Sequence, residues 1–210
     1  MARRTERRSF WRQSGKRRDG GTVARRRGIA RGAVADGVPG STIVTALSRN
    51  GVDFGVRVGG LNDWLIGEAP SMDQAIYYSG FSVDDSTPDI GDSSILEVLG
   101  LGGMATAAAP TTVDFVGGSI GDQLRKTDEL RDITLESHPD FKIPNLSQNG
   151  SPVGIDVRRV VETGRTPFIN SGVIHEDNWE TGQVGAGIVQ APLDPFKNAL
   201  RDLKKYYSPD

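Results

Sequence analysis

The chain has 210 residues, of which 36% are hydrophobic, and it contains 27 glycines, 11 prolines and no cysteine. This length allows one domain, or one and a half, with a buried core. The absence of cysteine excludes disulfides, thiolate metal sites and cysteine nucleophiles, and it fits a reducing cytosol. No stretch approaches the ~20 apolar residues of a membrane span, and the arginines after Met1 precede no apolar core of a secretory signal.

The net charge of −2 hides a strong asymmetry along the chain. Residues 1–40 hold 12 Lys or Arg against three acids, a net charge of +9, whereas residues 41–210 carry −11. We predict that residues 1–40 are a basic extension, disordered or out of frame, because they hold too few apolar residues to offset chain entropy. A polyanion-binding arm is the alternative. The acidic remainder would oppose nucleic-acid binding, which is therefore the least favoured function.

Order is predicted to begin near Ser41 with a β-hairpin. Two alternating runs, residues 42–49 and 52–58, flank Asn50-Gly51, which is the strongest short-range signal of a two-residue type I′ turn.

The later elements give the fold class. The first are short strands over residues 64–66 and 75–78, followed by a helix from Ser93 or Ser94 that breaks at residues 100–103 and continues to Pro110. A helix from Ser119 to Pro139 and a short helix over residues 156–162, closed by Gly164, come next. Strands over residues 167–174 and 188–189 and a helix from Asp194 complete the chain. In the helix after Ser119, a capping box with Asp122 is expected, with Ile120, Leu124, Leu130 and Ile133 on the apolar face. A hairpin followed by mixed short strands and several helices, without regular β-α alternation, predicts a complex α+β architecture that is not doubly wound.

The densest polar cluster spans residues 88–94. Asp92 or Ser93 would stand at a helix N-terminus, where unpaired N–H groups and the helix dipole favour an anion. A helix cap explains one such residue. Two aspartates three apart, Asp89 and Asp92, with a glycine between them also suit a functional loop, and both interpretations stay open.

A glycine-rich turn at residues 100–103 opens a small-residue segment. The amides of Gly102 and Gly103 could approach a phosphate or carboxylate, or the small residues could simply let two helices pack closely. The segment is not a Walker motif, because no Gly-Lys-Ser/Thr follows it.

Two histidines and one strand arginine complete the candidates. His175 leaves a strand for a glycine-rich loop and is either a general acid/base or an ordinary surface histidine. His138 is expected to stabilise a helix C-terminus. Arg57 would need an anionic partner if it faces inward, and would be solvated if it faces outward. With no cysteine and two histidines, we predict no metal and no cofactor.

Five stretches resemble a known family, and they occur in the same order as in that family: RNGVDFGVRVGGL, TPDIGDSSILEVLGLGGMATAAAP, FVGGS, GIDVRRVVETGRTPFINSGVIH and GQVGAGIVQAP. They are similar to the C-terminal part of the YlbE-like family, a domain of unknown function related to the AllG subunit of oxamate carbamoyltransferase. The resemblance covers residues 41–210, the expected folded domain. Family members are longer, so the resemblance implies a fragment of a split or frameshifted gene, with a separately encoded N-terminal half as partner.

The resemblance implies carbamoyl transfer between carbamoyl phosphate and an oxamate-like acid in purine (allantoin) degradation, by a cytoplasmic subunit that works with other subunits of a complex. We assign His175 as acid/base and Asp92 as the residue that orients or accepts a proton. The small anionic substrate would be bound by Arg57, Asp89, Ser93, Gly102, Gly103, Asn170, Gln183 and Gly185. A non-catalytic interaction or scaffolding domain, or an inactive truncated gene product, is the alternative.

Overall fold

The structure is a computed structural model that describes residues 35–91, 93–109, 118–178 and 180–207. Its strands are β1 (Val44–Arg49), β2 (Asp53–Val58), β3 (Leu65–Glu68), β4 (Ile76–Tyr77), β5 (Thr134–Ile143), β6 (Asn149–Ile155), β7 (Phe168–Ile174) and β8 (Gln183–Gln190). Its α-helices are α1 (Ile120–Glu129), α2 (Val157–Thr163) and α3 (Asp194–Tyr207), and 3₁₀ turns lie at Val83–Asp85, Gly102–Ala108, Leu130–Ile133 and Pro144–Leu146. Three antiparallel sheets, ordered β1-β2-β3, β4-β8-β7 and β5-β6, confirm the predicted α+β class.

The predicted hairpin is present, but its turn is longer than expected. Arg49 pairs with Phe54, so the two-residue type I′ turn is wrong. The side-chain oxygen of Asn50 accepts hydrogen bonds from the amides of Val52 and Asp53 at 2.9 and 2.7 Å. Asn50 therefore stabilises a wider turn through a side-chain bond that the dipeptide signal does not specify.

The chain after α1 differs most from expectation. The helix predicted to reach Pro139 ends at Glu129, and β5 contains both His138 and Pro139. Pairing with β6 is regular from Thr134 to Ser137 and becomes irregular before Lys142, which accommodates a proline that has no N–H to donate. The expected role of His138 at a helix C-terminus is therefore wrong. Its ring is buried in the strand and stacks on Phe141 at 4.1 Å.

Helix α1 has the predicted cap and a different buried face. Ser119 and Asp122 form the capping box, confirming its local signal. The face that packs inward carries the polar Gln123 and Thr127, whereas Ile120 is 50% exposed. Thr127 satisfies its hydroxyl by bonding Thr106 Oγ1 and the amide of residue 107, each at 3.3 Å.

Residues 93–109 form turns rather than the predicted pair of helices. Bends and turns occupy residues 94–100, and Gly102–Ala108 is a 3₁₀ stretch with a kink at Ala105. Gly100 and Gly102 have φ values of +77° and +56°, which interrupt a right-handed helix. Pro110, the expected end, lies outside the described residues.

The C-terminal elements follow their local signals. Asp156 caps α2 and Gly164 ends it in the left-handed conformation, as predicted. Helix α3 begins at Asp194 and buries Phe196 and Leu203.

The main core joins the first sheet to the two C-terminal helices and to β7 and β8. Its members include Leu47, Phe54, Ile155, Ile169 and Phe196, all with no exposed surface. Within the described residues, no helix is both long and apolar enough to cross a membrane.

The cap of α2 provides a test of this part of the fold. Burial raises the pKa of Asp156, but hydrogen bonds and charge from Arg158 outweigh burial and hold that pKa below its ordinary value. We expect Asp156→Ala to lower the free energy of unfolding by about 1 to 3 kcal/mol, and Asp156→Asn to lower it less, because Asn keeps the acceptor for the Arg158 amide. Urea unfolding measures both.

The same carboxylate makes stability pH-dependent. Its contribution is present above the unfolded pKa of aspartate and is lost as pH falls through the lowered folded pKa. The free energy of unfolding of Asp156→Asn should not show this fall at low pH. Asp202→Ala, at an exposed position, is the control, and its free energy of unfolding should stay within about 0.5 kcal/mol of the parent's at each pH. If Asp156→Asn and Asp156→Ala lower the free energy of unfolding equally, then the charge of Asp156, and not its capping hydrogen bond, stabilises the fold.

Candidate functional site

A cleft of about 310 Å³ opens between the segment that follows β4 and the sheet face of β7 and β8. Three predicted site residues, Gly102, Asn170 and Gln183, lie in its wall. The complete lining is Ile90, Gly91, Leu96, Gly102, Asn170, Ser171, Gly172, Ile174, Gln183 and Ala186.

Arg49, the last residue of β1, lies directly behind this cleft. Its side chain is 1% exposed, and its Nε donates to Asp89 Oδ2 at 3.0 Å. Its Nη1 donates to the carbonyl oxygen of Ser93 at 2.7 Å. A Cβ at Gly91, in the cleft wall, would lie 2.6 Å from Arg49 Nε, so only glycine leaves room for the guanidinium.

Asp89 is fully buried and connects three parts of the fold. Its Oδ1 accepts from Ser171 Oγ on β7 at 2.6 Å and from the Gly91 amide at 2.9 Å. Its amide donates to the carbonyl of Pro70, and its carbonyl accepts from the Gly51 amide of the hairpin turn. Asp89 therefore fixes its loop against both the first sheet and β7.

Glu97 is a second buried carboxyl group, 2% exposed. Its Oε1 accepts from the amides of Gly103 and Asn170, each at 3.4 Å, and its Oε2 lies 4.0 Å from Arg49 Nη1. Burial raises the pKa of Glu97, and the charge of Arg49 and the neighbouring backbone amides oppose this only in part. Glu97 therefore keeps its proton to a higher pH than an exposed glutamate does.

The buried groups leave one hydrogen-bond donor unused. Arg49 Nη2 is buried and has no hydrogen-bond partner within the described part of the chain. Leaving a buried donor unsatisfied costs about 1 to 3 kcal/mol, more when the group is charged. The guanidinium can therefore donate to one further oxygen atom with little additional desolvation cost, because it is already buried.

Gln183 and Gly185 occupy the start of β8. Gln183 Nε2 donates to the carbonyl of Gly185 at 2.9 Å and to the hydroxyl of Tyr78 at 3.2 Å. A Cβ at Gly185 would lie 2.5 Å from the carbonyl oxygen of Ile76, so this glycine permits the close pairing of β4 with β8. Gln183 thus contributes a polar side chain to the cleft, whereas Gly185 lies outside the lining and serves the pairing of β4 with β8.

The backbone of Ser93, Gly102 and Gly103 lies next to the buried side chains of Arg49 and Glu97. The carbonyl of Ser93 binds Arg49, and the amide of Gly103 is already directed at Glu97. A Cβ at Gly103 would lie 2.2 Å from the carbonyl of Phe168, and one at Gly102 would lie 2.5 Å from Glu97 Oε1. Gly102 therefore permits close packing against Glu97 and Gly103 against β7, whereas the expected packing of two helices is not seen because residues 93–109 form turns.

The remaining predicted residues lie outside the lining. His175 follows cleft residue Ile174, and its Nδ1 accepts from the amides of Asp177 and Asn178 at 3.2 and 3.1 Å. Arg57 faces outward on β2 and pairs with Asp36, with 3.0 Å between Nε and Oδ1.

Asp92, the other predicted catalytic residue, is outside the described residues.

Sequence reasoning missed Arg49 and Glu97. Arg49 ends a strand, where a charged residue is ordinary, so its burial left no local signal. Glu97 gave a signal that was overlooked, because it is a single acid in the apolar run ILEVLGL. Among the described residues, no three of His, Asp and Glu come together as candidate metal ligands.

The fold and the cleft define an α+β domain that places a small cleft, lined by both polar and apolar residues, over a buried, ion-paired arginine. A model of the family described as oxamate carbamoyltransferase subunit AllG matches residues 29–93. The chain belongs to an AllG-related family, which confirms the sequence resemblance.

Individual relatives share more of the chain. Oxamate carbamoyltransferase subunit AllG of Escherichia coli K12 is 43% identical over 163 residues, which are 77% of this chain and 39% of that protein. The uncharacterized protein YahG of the same organism is 41% identical over 79% of this chain and 35% of its own length. A crystal structure of a conserved protein of unknown function from Enterococcus faecalis V583 has a TM-score of 0.77 and 40% identity, and the match covers 82% of this chain and 41% of that chain. The chain thus spans about two fifths of these relatives.

The two buried serines provide a matched test of the buried cluster. Ser171→Ala removes the 2.6 Å hydrogen bond to Asp89 and leaves a buried carboxylate oxygen with one partner fewer. We expect a loss of about 1 to 3 kcal/mol in the free energy of unfolding. Ser151 is also buried, but its Oγ has no hydrogen-bond partner in the described structure, so Ser151→Ala should not lower stability and should raise it, because the change removes an unpaired buried hydroxyl. Similar losses in the two variants would contradict this account.

Glu97 should make the folded state less stable as pH rises. Because its folded pKa is raised, the folded chain binds this proton more tightly than the unfolded chain. Stability is therefore lost as pH rises from the ordinary glutamate pKa through the raised one. Glu97→Gln keeps an acceptor for the two amides without the charge, so its thermal unfolding midpoint should fall less across this pH range. An unchanged pH profile in this variant would contradict the assignment.

Proposed function

We propose that this chain is part of a cytoplasmic subunit of an oxamate carbamoyltransferase-type complex and that its cleft binds the anionic substrate. The reaction would transfer a carbamoyl group between carbamoyl phosphate and an oxamate-like acid in purine (allantoin) degradation. The observation that carries the proposal is Arg49 Nη2, which has no hydrogen-bond partner among the described residues and lies behind a small cleft, in a chain of an AllG-related family.

The size and polarity of the cleft support a small substrate. A volume of about 310 Å³ is at the lower end of ligand sites, which suits a molecule of a few heavy atoms. Asn170 and Gln183 offer amide groups on its wall, and these can both donate and accept hydrogen bonds. Arg49 supplies positive charge from below, in a setting shielded from water, where electrostatic attraction is strongest.

The transfer needs positioning and one proton movement. A bond forms between the amide nitrogen of the acid and the carbamoyl carbon, the bond from that carbon to the phosphate oxygen breaks, and the nitrogen loses a proton. Holding both small substrates in one cleft would lower the entropic part of the barrier. The nitrogen proton would pass to one of the two predicted catalytic residues, His175 or Asp92.

The hydrogen bonds of His175 define what it can contribute. Because Nδ1 accepts from two backbone amides, a neutral ring carries its hydrogen on Nε2. In this state the ring can donate a hydrogen bond to a substrate oxygen. It would act as a base only after losing the two amide bonds.

Other subunits, and a separately encoded half, remain proposed partners. The chain spans about two fifths of its relatives, so a complete site would draw on further polypeptide.

A scaffolding function has one observation in its favour. An apolar groove of about 360 Å³ lies between the start of the described chain and the β5-β6 sheet, and it includes the exposed Val38 and Leu135. Exposed apolar surface of this kind is typical of protein interfaces.

Ligand-dependent stability of the full 210-residue chain tests the proposal. At a concentration of about 100 Kd, oxamate or carbamoyl phosphate should raise the free energy of unfolding by about 2.7 kcal/mol. Asn170→Ala should reduce this effect, whereas Asn198→Ala, on the distant face of α3, should not. Phosphate release from carbamoyl phosphate is then measured with oxamate, with and without the other subunits.

The outcome separates the two functions. No stabilisation by either ligand, together with a stable subunit complex that Leu135→Asp disrupts, would favour scaffolding. Oxamate-dependent phosphate release that Asn170→Ala abolishes would favour catalysis.

A further inference from the structure

Three buried ionisable groups lie in a row behind the cleft. Asp89 and Arg49 lie beneath Gly91 and Ser171, and Glu97 lies on the other side of the guanidinium. The row contains two carboxyl groups and one guanidinium, all with side chains no more than 2% exposed. With both carboxyl groups ionised, its net charge is −1.

The neighbours of Glu97 offer little compensation for a charge. From β1, Arg49 approaches to 4.0 Å but forms its shorter ion pair, 3.0 Å, with Asp89. From the 3₁₀ stretch and from β7, only the amides of Gly103 and Asn170 face the carboxyl group, at 3.4 Å. No other charged side chain among the described residues contacts Glu97.

Arg49 Nη2 lies next to Gly91, a residue of the cleft wall. A Cβ at Gly91 would lie 3.1 Å from Arg49 Nη2, so this nitrogen lies against the backbone that forms the cleft wall. It is the donor that has no partner in the described chain. Guanidinium groups bind carboxylate and phosphate oxygens through such N–H groups.

We propose that the cleft binds a small oxyanion at Arg49 and that Glu97 takes up a proton when the anion binds. The inference deepens the proposed function and rests on it only for the identity of the anion. Carboxylate and phosphate share the required chemistry, and the experiment separates them.

The coupling follows from charge. An anion beside an ionised Glu97 would put two uncompensated negative charges on one guanidinium that already pairs with Asp89, in a region of low dielectric constant. Protonation of Glu97 removes one of these charges. Burial raises the pKa of Glu97, which lowers the free-energy cost of this protonation.

Calorimetric titration of the full chain measures the coupling directly. Oxamate, inorganic phosphate and the neutral analogue oxamide are titrated in two buffers of different ionisation enthalpy, over a range from acidic to alkaline pH. For oxamate we expect proton uptake to rise with pH towards about one proton per anion, and affinity to fall by up to about tenfold per pH unit. Oxamide should cause no uptake.

Variants assign the proton to its residue. Glu97→Gln should bind oxamate with no proton uptake and with an affinity that does not depend on pH. The same variant measures the protons that inorganic phosphate itself gains or loses on binding, and this value is subtracted from the uptake by the parent chain. Glu162→Gln, at an exposed position on α2, is the matched control and should retain full uptake. Arg49→Lys should weaken oxamate binding roughly tenfold to hundredfold, because lysine keeps the charge but lacks Nη2.

Carbon-13 NMR of the Glu97 carboxyl provides a second measurement on the unaltered chain, with a higher titration midpoint expected in the presence of oxamate.

Oxamate binding without proton uptake would overturn the inference and leave the proposed function standing. Phosphate binding with uptake, but no binding of oxamate, would support the inference and overturn the proposed substrate. If no anion binds the folded chain, both fall.

Discussion

The ion pair between Arg49 and Asp89 is the interaction on which the arrangement of this domain depends. It joins the end of β1 to the loop after β4, and Ser171 extends it to β7. Two separate sheets are therefore linked through one buried cluster. Removing one partner of such a pair typically costs about 3 to 5 kcal/mol, because the other charge is left buried without compensation. The loop after β4 is thus held against both sheets, together with the part of the cleft wall that it forms.

The same pair creates the chemistry of the cleft. Asp89 accepts from Nε of the guanidinium and the carbonyl of Ser93 accepts from Nη1, whereas the buried Nη2 has no hydrogen-bond partner among the described residues. Glu97 is close enough to be influenced by Arg49 and too far to share its ion pair, so burial decides its protonation. The anion site proposed above would therefore depend on the same arginine that forms the structural ion pair. This is why a residue whose first role is structural enters the proposed function.

Glycine has a consistent role around these groups. Gly91, Gly102 and Gly103 each lie where a Cβ would collide with Arg49, Glu97 or the β7 backbone. Gly102 lines the cleft, and the binding of a substrate by the amides of this glycine-rich turn stays a prediction. The structure adds that the Gly103 amide faces Glu97. Small residues here bring backbone and buried charges together, and Asn170 and Gln183 line the cleft.

The sequence by itself determined the elements whose signals are local. The hairpin, the cap of α2 at Asp156, the strand before His175 and the start of α3 all follow from alternation, capping residues or Pro and Gly positions, which act within a few residues. Only the tertiary structure decided that the chain around His138 is a strand, because pairing with β6 outweighs its helical pattern. Tertiary structure also decided the centre of the site. Arg49 and Asp89 are 40 residues apart, and the burial that gives their contact its strength exists only after the sheets have packed.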